Sequence, residues 1–318
     1  MNIPYAVKAL SKNWSNPYWW PVVFNSEVVG RFHSLTQNSA GISIPDADWD
    51  TLFILDGCRY DLFEAIYESV IELKGTLEKK ISKGSGSPEF LRENFQEDTF
   101  NDIVYVTANP FVKRELKNPF FHTESVWLDG WDDDKETVLP STMIERTQAL
   151  LNQYPNKRYI IHFMQPHHPF IGENRIKDDS GFVGAVAKST GEEVPDVEFV
   201  WEKLRRGKLT TDTVWKAYED NLRFVLEEIQ PFVNQLDGKS VLTSDHGNAF
   251  GERARPFPTR VYGHGDRIRI PALVEVPWFV PEYDTRREIT EGASEQRPET
   301  NSKDTDIEQR LAALGYKT

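Results

Sequence analysis

The 318-residue sequence predicts an α/β fold with a mainly parallel central sheet. Short apolar runs, typical of buried parallel strands, alternate along the chain with segments whose apolar residues recur at helical spacing. Strands that alternate with helices favour crossover connections and hence a parallel sheet. Hydrophobic residues make up 39% of the chain and aromatic residues 12%, which is enough for a sizeable core and excludes global disorder.

Five strands and three helices are predicted in chain order. The first strand is the run TLFIL, which ends in Asp56 and Gly57, as expected where a buried strand opens into a loop. In the first helix, Leu62, Phe63, Ile66, Val70 and Leu73 fall on one face. The predicted strands are 51–55, 103–106, 159–164, 241–243 and 270–276, and the predicted helices are 60–73, 139–153 and 213–236.

The flanking segments have a different composition from this core, which spans residues 49–283. Residues 1–48 are punctuated by proline and aromatic residues and are expected to pack on the core as an extension. Residues 171–212 are polar and rich in charge, and an irregular loop of that length favours a lid or small insertion. Residues 284–318 are expected to form a flexible linker followed by a terminal helix.

The charge balance restricts the class of partner. Lys and Arg number 37 against 50 Asp and Glu, giving a net charge of −13, which argues against nucleic acid as a partner. An anionic substrate would need local positive charge or a metal. The single cysteine, Cys58, excludes an intrachain disulfide and a multi-cysteine zinc site. No transmembrane segment is expected, a cytoplasmic location is predicted, and the oligomeric state stays open.

Three polar clusters follow predicted strands. They are Asp56-Gly57-Cys58-Arg59, the segment 165–170 with His167 and His168, and Ser244-Asp245-His246-Gly247. In parallel sheets, ligands bind at the carboxyl ends of the strands. Carboxylates and imidazoles together suit zinc, manganese or similar ions. A lone aspartate of this kind is more often a helix cap, but three clusters at three strand ends favour a metal site.

These clusters lie within four ordered motifs that resemble the alkaline phosphatase and sulfatase superfamily of metal-dependent hydrolases. The motifs are TLFILDGCRYDLF, HFMQPHHPF, SVLTSDHGNAFGE and YGHGDRIRIPALVEVPW, and the match runs over residues 48–278. The resemblance implies a three-layer α/β/α sandwich whose active site lies at the strand ends.

The resemblance also implies a nucleophile at a helix N-terminus. Ser87 suits the cap position, Pro88 the first helical position and Glu89 the first turn. A serine placed there beside a cation can be activated for attack, and the helix amides can hold an anion. The residues leave two alternatives open: Ser85 as the nucleophile, or plain helix capping without chemistry.

Carried over from the family, Asp56, Ser87, Asp245 and His246 are the expected ligands of one divalent ion, which is zinc, manganese, calcium or magnesium. His167 is expected to contact the substrate. His264 is expected either to contact the transferred group or to bind a second ion. Two-metal members have an aspartate four residues before the middle histidine, where this chain has Phe163, so one ion is favoured. His162, inside an apolar strand, is interpreted as a core histidine, and His168 as a packing residue.

The predicted activity is hydrolysis of anionic small-molecule phosphate esters, either monoesters or diesters, through Ser87. The alternatives are sulfatase-like or phosphotransferase activity in the same superfamily, or an inert scaffold. Sulfatases convert a Cys or Ser in Cys/Ser-x-Pro-x-Arg to formylglycine, but Ser87 is followed directly by Pro88, and Phe90 stands where Arg is required. An arginine-rich segment, 253–269, is expected to help grip the anion.

Overall fold

A seven-stranded sheet forms the centre of the chain in the computed structural model, which describes residues 11, 13–36, 41–176 and 199–292. The strand order is β2-β11-β8-β1-β7-β3-β4. The strands are β1 Thr51–Leu55, β2 Gly75–Ile81, β3 Phe100–Thr107, β4 Phe120–Ser125, β5 Trp131–Asp132, β6 Thr137–Val138, β7 Arg158–Phe163, β8 Ser240–Thr243, β9 Ala249–Arg253, β10 Arg260–Gly263 and β11 Glu275–Pro281.

Helices cover both faces of this sheet. The helices are α1 Trp19–Phe24, α2 Gly30–Thr36, α3 Tyr60–Val70, α4 Ser87–Phe95, α5 Phe111–Glu115, α6 Pro140–Gln153, α7 Val200–Arg205, α8 Thr211–Val233 and α9 Pro271–Val274. A π-helical turn, Asn25–Val29, joins α1 to α2. Among the residues that the structure describes, none of the helices is both long enough and apolar enough to cross a lipid bilayer.

The predicted α/β fold with a mainly parallel sheet is confirmed. Strands β8, β1, β7, β3 and β4 run parallel to one another, with β1 at the centre between β7 and β8. Every residue of β1 is buried, as its uninterrupted apolar run predicted. The three predicted helices correspond to α3, α6 and α8, each with ends within a few residues of the prediction.

The predicted strand at 270–276 is wrong in its position. Pro271–Val274 form the short helix α9, because Pro271 suits the first helical turn. The strand begins only at Glu275 and runs antiparallel to both β8 and β2. Strand β2 escaped prediction because most of its residues are exposed and three of its seven residues, Glu78, Lys79 and Lys80, are charged, as is typical of a protected edge strand.

The N-terminal helices lie against the β9–β10 hairpin and the loop that follows β10. The His33 ring, which is buried, contacts the carbonyl oxygen of Arg255 at 2.8 Å and accepts from the backbone N–H of Arg269 at 3.0 Å. Asn25 donates to the carbonyl oxygen of Arg260. The described part of the predicted extension therefore packs on the core and supports the loop that carries His264.

The beginning of the predicted linker is attached to the core. Arg286 donates two hydrogen bonds to the buried carboxylate of Asp50, and Arg287 donates to the carbonyl oxygens of Asp50 and Lys157. These guanidinium groups satisfy a buried acid and connect Arg286 and Arg287 to the core. The predicted lid falls largely on residues 177–198, and the predicted terminal helix on residues 304–318; both of these ranges lie outside the described residues.

Candidate active site at the carboxyl ends of the parallel strands

Buried polar side chains converge where four parallel strands end. Asp56 follows β1, Asn109 follows β3, His167 follows β7, and Asp245 with His246 follows β8. Ser87, the first residue of α4, faces them. All of these side chains are almost completely removed from solvent. The topology thus brings together the three clusters that the sequence placed at strand ends, as expected for a parallel sheet.

The hydroxyl of Ser87 lies at the centre of this group. It donates to Asp245 Oδ2 at 2.7 Å and lies 3.4 Å from Asp56 Oδ2 and 3.3 Å from His246 Nε2. The N-cap of α4 is Gly86 rather than Ser87, and the helix has no side-chain cap. The predicted cap position is therefore wrong by one residue, and the serine hydroxyl is directed to the carboxylates instead of to the helix backbone.

Ser85 occupies a different environment. Its hydroxyl contacts Glu89 Oε2 at 2.7 Å and the carbonyl oxygen of Gly265 at 2.8 Å, and it accepts from the N–H of Ile268 at 3.0 Å. These contacts tie the loop before α4 to the loop that carries His264. The structure therefore brings Ser87, and not Ser85, to the cluster of carboxylates.

The backbone holds Asp245 in one orientation. Its Oδ1 accepts hydrogen bonds from the N–H groups of Gly57 at 3.0 Å and His246 at 2.9 Å. The Oδ2 atom is left to face Ser87. Gly57 has a φ of +67°, and a Cβ there would lie 2.6 Å from Asn248 Nδ2. Only glycine adopts this conformation without strain, so the turn after β1 depends on it.

Gly57→Ala is therefore expected to lower the free energy of unfolding by about 1–2 kcal/mol from backbone strain, and by more where the Asn248 contact cannot relax. Displacement of the Gly57 N–H should also loosen Asp245 and weaken metal binding. Chemical denaturation and metal titration measure the two effects. Gly207→Ala is a matched control, because Gly207 also has a positive φ, of +70°, but a Cβ there would meet no atom within 4 Å. A Gly57→Ala protein no less stable than the control would contradict this account of the turn.

Three of the predicted ligands fit a divalent ion. Ligand atoms of Asp56, Asp245 and His246 lie within 4.8 Å of one another. His246 Nδ1 is 2.8 Å from the carbonyl oxygen of Gly247, which fixes a proton on Nδ1 and leaves the Nε2 lone pair facing the carboxylates. Among the described residues, Asp56 Oδ1 has no hydrogen-bond partner, although it is buried. A buried carboxylate oxygen without a donor suits a cation, so the donor set fits a metal such as zinc.

His167 and His264 meet beside this group. Their Nε2 atoms are 3.0 Å apart, and the His264 ring stacks on His246 with centroids 4.3 Å apart. His167 Nδ1 faces the carbonyl oxygen of His168 and must donate to it, so in neutral His167 the Nε2 atom accepts from His264. The His168 ring packs edge-on against Phe170.

Burial dominates the protonation of these two histidines. It lowers the pKa of His167, assisted by the charge of His246 and opposed by Asp56. It also lowers the pKa of His264 well below the ordinary value, assisted by His246 and His167. Burial raises the pKa of Asp56, but the neighbouring imidazoles of His162, His167 and His246 outweigh it, and the pKa lies below its ordinary value. The site thus combines an ionised Asp56 with neutral His167 and His264 at pH 7.

Asn109 belongs to the site, although no sequence motif indicated it. Its Nδ2 donates to Asp56 Oδ2 at 2.7 Å and to Ser87 Oγ at 3.2 Å. Its Oδ1 accepts from the N–H of Phe111 at 2.9 Å, which fixes the orientation of the amide. The one available signal was a polar residue three positions after a predicted strand.

His162 has a different environment from the one expected of a core histidine. It is completely buried within β7, but its Nε2 lies 3.6 Å from Asp56 Oδ2 and 3.7 Å from Asp245 Oδ2. The burial agrees with the sequence interpretation, but a histidine on the buried face of an apolar strand gave no indication of the two carboxylates beside it. His162 lies near the carboxyl end of β7, where the buried face of the sheet borders the polar site.

The arginine-rich segment contributes little to the interior of the site. Arg269 is buried and donates to the carbonyl oxygens of Ser82 and Lys83, while Arg253, Arg255, Arg260 and Arg267 are exposed. Arg59 is held by Asp61 and Glu252. The donor that faces Ser87 in this structure is instead the amide of Asn109.

Solved structures of bacterial transferases are similar to the chain. The soluble domain of lipooligosaccharide phosphoethanolamine transferase A from Neisseria meningitidis is 14% identical, with a TM-score of 0.43 over 76% of this chain and 80% of that chain. The C-terminal periplasmic domain of phosphoethanolamine transferase EptC from Campylobacter jejuni is 15% identical, with a TM-score of 0.43 over 72% and 77%. The corresponding EptC domain from Escherichia coli, in complex with zinc, is 12% identical, with a TM-score of 0.42 over 77% and 76%.

The resemblance to the alkaline phosphatase and sulfatase superfamily rests on the four motifs and stays a prediction. No protein-family model matches the sequence, and no curated protein matches it. At these identities and TM-scores the likeness concerns the arrangement of the chain, and the roles proposed below rest on the geometry of the site.

The predicted cytoplasmic location is contradicted by the comparison and is withdrawn. The two EptC structures are described as periplasmic domains. The single cysteine excludes an intrachain disulfide, but a chain without disulfides is compatible with either compartment, so the composition did not support the prediction.

Proposed function

We propose that this protein is a metal-dependent enzyme that takes a phosphoryl-type group from an ester onto Ser87 and passes it to an acceptor. One observation carries the proposal: a buried serine hydroxyl at a helix N-terminus lies within 3.4 Å of two carboxylates and an imidazole. Plain helix capping does not explain this geometry, because the hydroxyl caps nothing.

Asp56, Asp245 and His246 would hold the ion, with Ser87 as a further ligand. The bound ion would supply positive charge that lowers the pKa of the serine hydroxyl and polarises the ester. The hydrogen bond from Ser87 Oγ to Asp245 Oδ2 provides the path by which the serine proton leaves. Asn109 holds the serine oxygen in place and presents N–H groups to the reacting centre.

In the first half-reaction, Ser87 Oγ forms a bond to phosphorus while the bond from phosphorus to the leaving alcohol breaks, and the leaving oxygen takes up the proton that Ser87 passed to Asp245. His167, His264 and the N-terminus of α4 are placed to contact the oxygens of the transferred group. In the second half-reaction, an acceptor hydroxyl attacks phosphorus, the bond to Ser87 breaks, and the serine recovers a proton from the acceptor. With water as acceptor the enzyme is a phosphoester hydrolase; with an alcohol it is a phosphotransferase, the alternative that the sequence left open.

The test is a screen of the metal-reconstituted full chain against aryl phosphate monoesters, aryl phosphate diesters and aryl sulfates, with and without added alcohol. We expect cleavage of phosphate esters to exceed cleavage of sulfates, because the chain lacks the motif for formylglycine formation. Product analysis in the presence of alcohol separates the two acceptors. Faster cleavage of sulfate, with mass spectrometry showing formylglycine at residue 85, 87 or 58, would contradict the proposal.

A further inference from the structure

We propose that His162 is a positioning residue of the metal centre, which holds the carboxylates of Asp56 and Asp245 in the arrangement that the ion requires. The inference rests on the metal-dependent function proposed above. It concerns a side chain that opens the motif HFMQPHHPF but to which the resemblance assigned no role, and that the converging ligand group does not include.

The imidazole of His162 lies close to both carboxylates of the metal site. His162 Nε2 lies 3.6 Å from Asp56 Oδ2 and 3.7 Å from Asp245 Oδ2. All three side chains are fully buried. Both distances exceed those of hydrogen bonds, and Nε2 has no hydrogen-bond partner among the residues that the structure describes. The ring therefore stands between two acids that would otherwise repel each other in a medium of low polarity.

Tyr105 fixes the tautomer of His162. Its hydroxyl is 3.0 Å from His162 Nδ1, across the β3–β7 pair. Burial raises the pKa of Tyr105, so the phenol keeps its proton. Carboxylate oxygens accept hydrogen bonds, which favours a proton on Nε2 and leaves Nδ1 to accept from the phenol.

In this tautomer His162 can orient the metal ligands but cannot bind the ion. An Nε2 that carries a proton has no lone pair for an ion, so His162 does not bind the metal itself. Its N–H dipole is directed at the two oxygens and restrains their rotation. Groups that orient metal ligands in this way commonly change metal affinity by about 10- to 100-fold when they are removed.

The experiment titrates Zn²⁺ into the chelator-treated full chain by calorimetry, using a matched pair of variants. In His162→Gln the side-chain amide nitrogen stands near the position of Nε2. In His162→Asn it stands near that of Nδ1 and does not reach the carboxylates. We expect Zn²⁺ affinity to fall about 10- to 100-fold in His162→Asn and to stay within about threefold of wild type in His162→Gln. Tyr105→Phe, which removes the group that sets the tautomer, should show a smaller loss.

A purely structural histidine gives a different pattern. In that case the two His162 variants would lower the free energy of unfolding to a similar degree and bind Zn²⁺ with equal affinity. Unchanged affinity in His162→Asn would overturn the inference and leave the proposed function standing. If that variant does not fold, wild-type affinity in Tyr105→Phe overturns the inference instead. A wild-type chain that binds no Zn²⁺ would overturn both.

Discussion

Ser87→Ala is expected to lower turnover of an aryl phosphate ester by at least about three orders of magnitude, because removal of a nucleophile leaves groups that only bind and polarise. The fold should survive, since the hydroxyl caps no helix and its neighbours are the carboxylates of the site. The loss should appear in kcat as well as in kcat/KM, and steady-state kinetics with metal-reconstituted protein measures it.

Ser85→Ala is the matched control, because Ser85 lies two residues away and is equally buried. Loss of its hydroxyl leaves the N–H of Ile268 without its partner, which should cost about 1–3 kcal/mol in the free energy of unfolding. Its effect on turnover should be far smaller than that of Ser87→Ala. The reverse order of effects on turnover would show that the wrong serine has been assigned as the nucleophile.

Asp245→Asn is expected to weaken binding of a divalent ion by more than about 100-fold and to abolish activity with it, since loss of a ligand should cost more than loss of a group that orients one. The amide oxygen can still accept from the N–H groups of Gly57 and His246, so the loop should keep its shape. What changes is the atom that faces Ser87, which becomes an amide nitrogen instead of a carboxylate oxygen. Calorimetry and metal analysis of the purified variant measure the loss.

Asp50→Asn controls for the loss of a buried carboxylate in general. Asp50 directly precedes β1, at the opposite end of that strand, where it binds Arg286. This variant should lose stability and keep its metal affinity. Unchanged metal stoichiometry in Asp245→Asn would contradict the ligand assignment.

The sequence predicted those parts of the site in which a carboxylate or imidazole side chain stands at the end of an apolar run. Asp56 directly follows an apolar run, Asp245 and His246 come within three residues of the end of another, and strand ends meet at one edge of a parallel sheet. Asn109 follows a strand as well, but an asparagine before a proline is equally typical of an ordinary turn. Only the packing of β3 beside β7 shows which side chains its amide reaches.

Other features depend on tertiary structure that local pattern does not encode. Ser85 and Ser87 both lie beside glycine, and the choice between them became visible only through Glu89 and Gly265, which bind Ser85. Strand β2 has the composition of a loop, and its pairing with β11 makes it a strand. Arg269 looked like an anion-binding residue, but it is buried against backbone carbonyls of the loop before α4.

The most direct measurement of the central claim is a map of the covalent intermediate. Metal-reconstituted full chain is mixed with a slow aryl phosphate ester, quenched in acid and digested, and the peptides that cover residues 83–91 are sequenced by mass spectrometry. A phosphoryl-type group on Ser87, absent from protein without metal, is the predicted result. Modification of Ser85 with Ser87 unchanged, or an unmodified peptide in protein that holds its metal and turns over the ester, would contradict it.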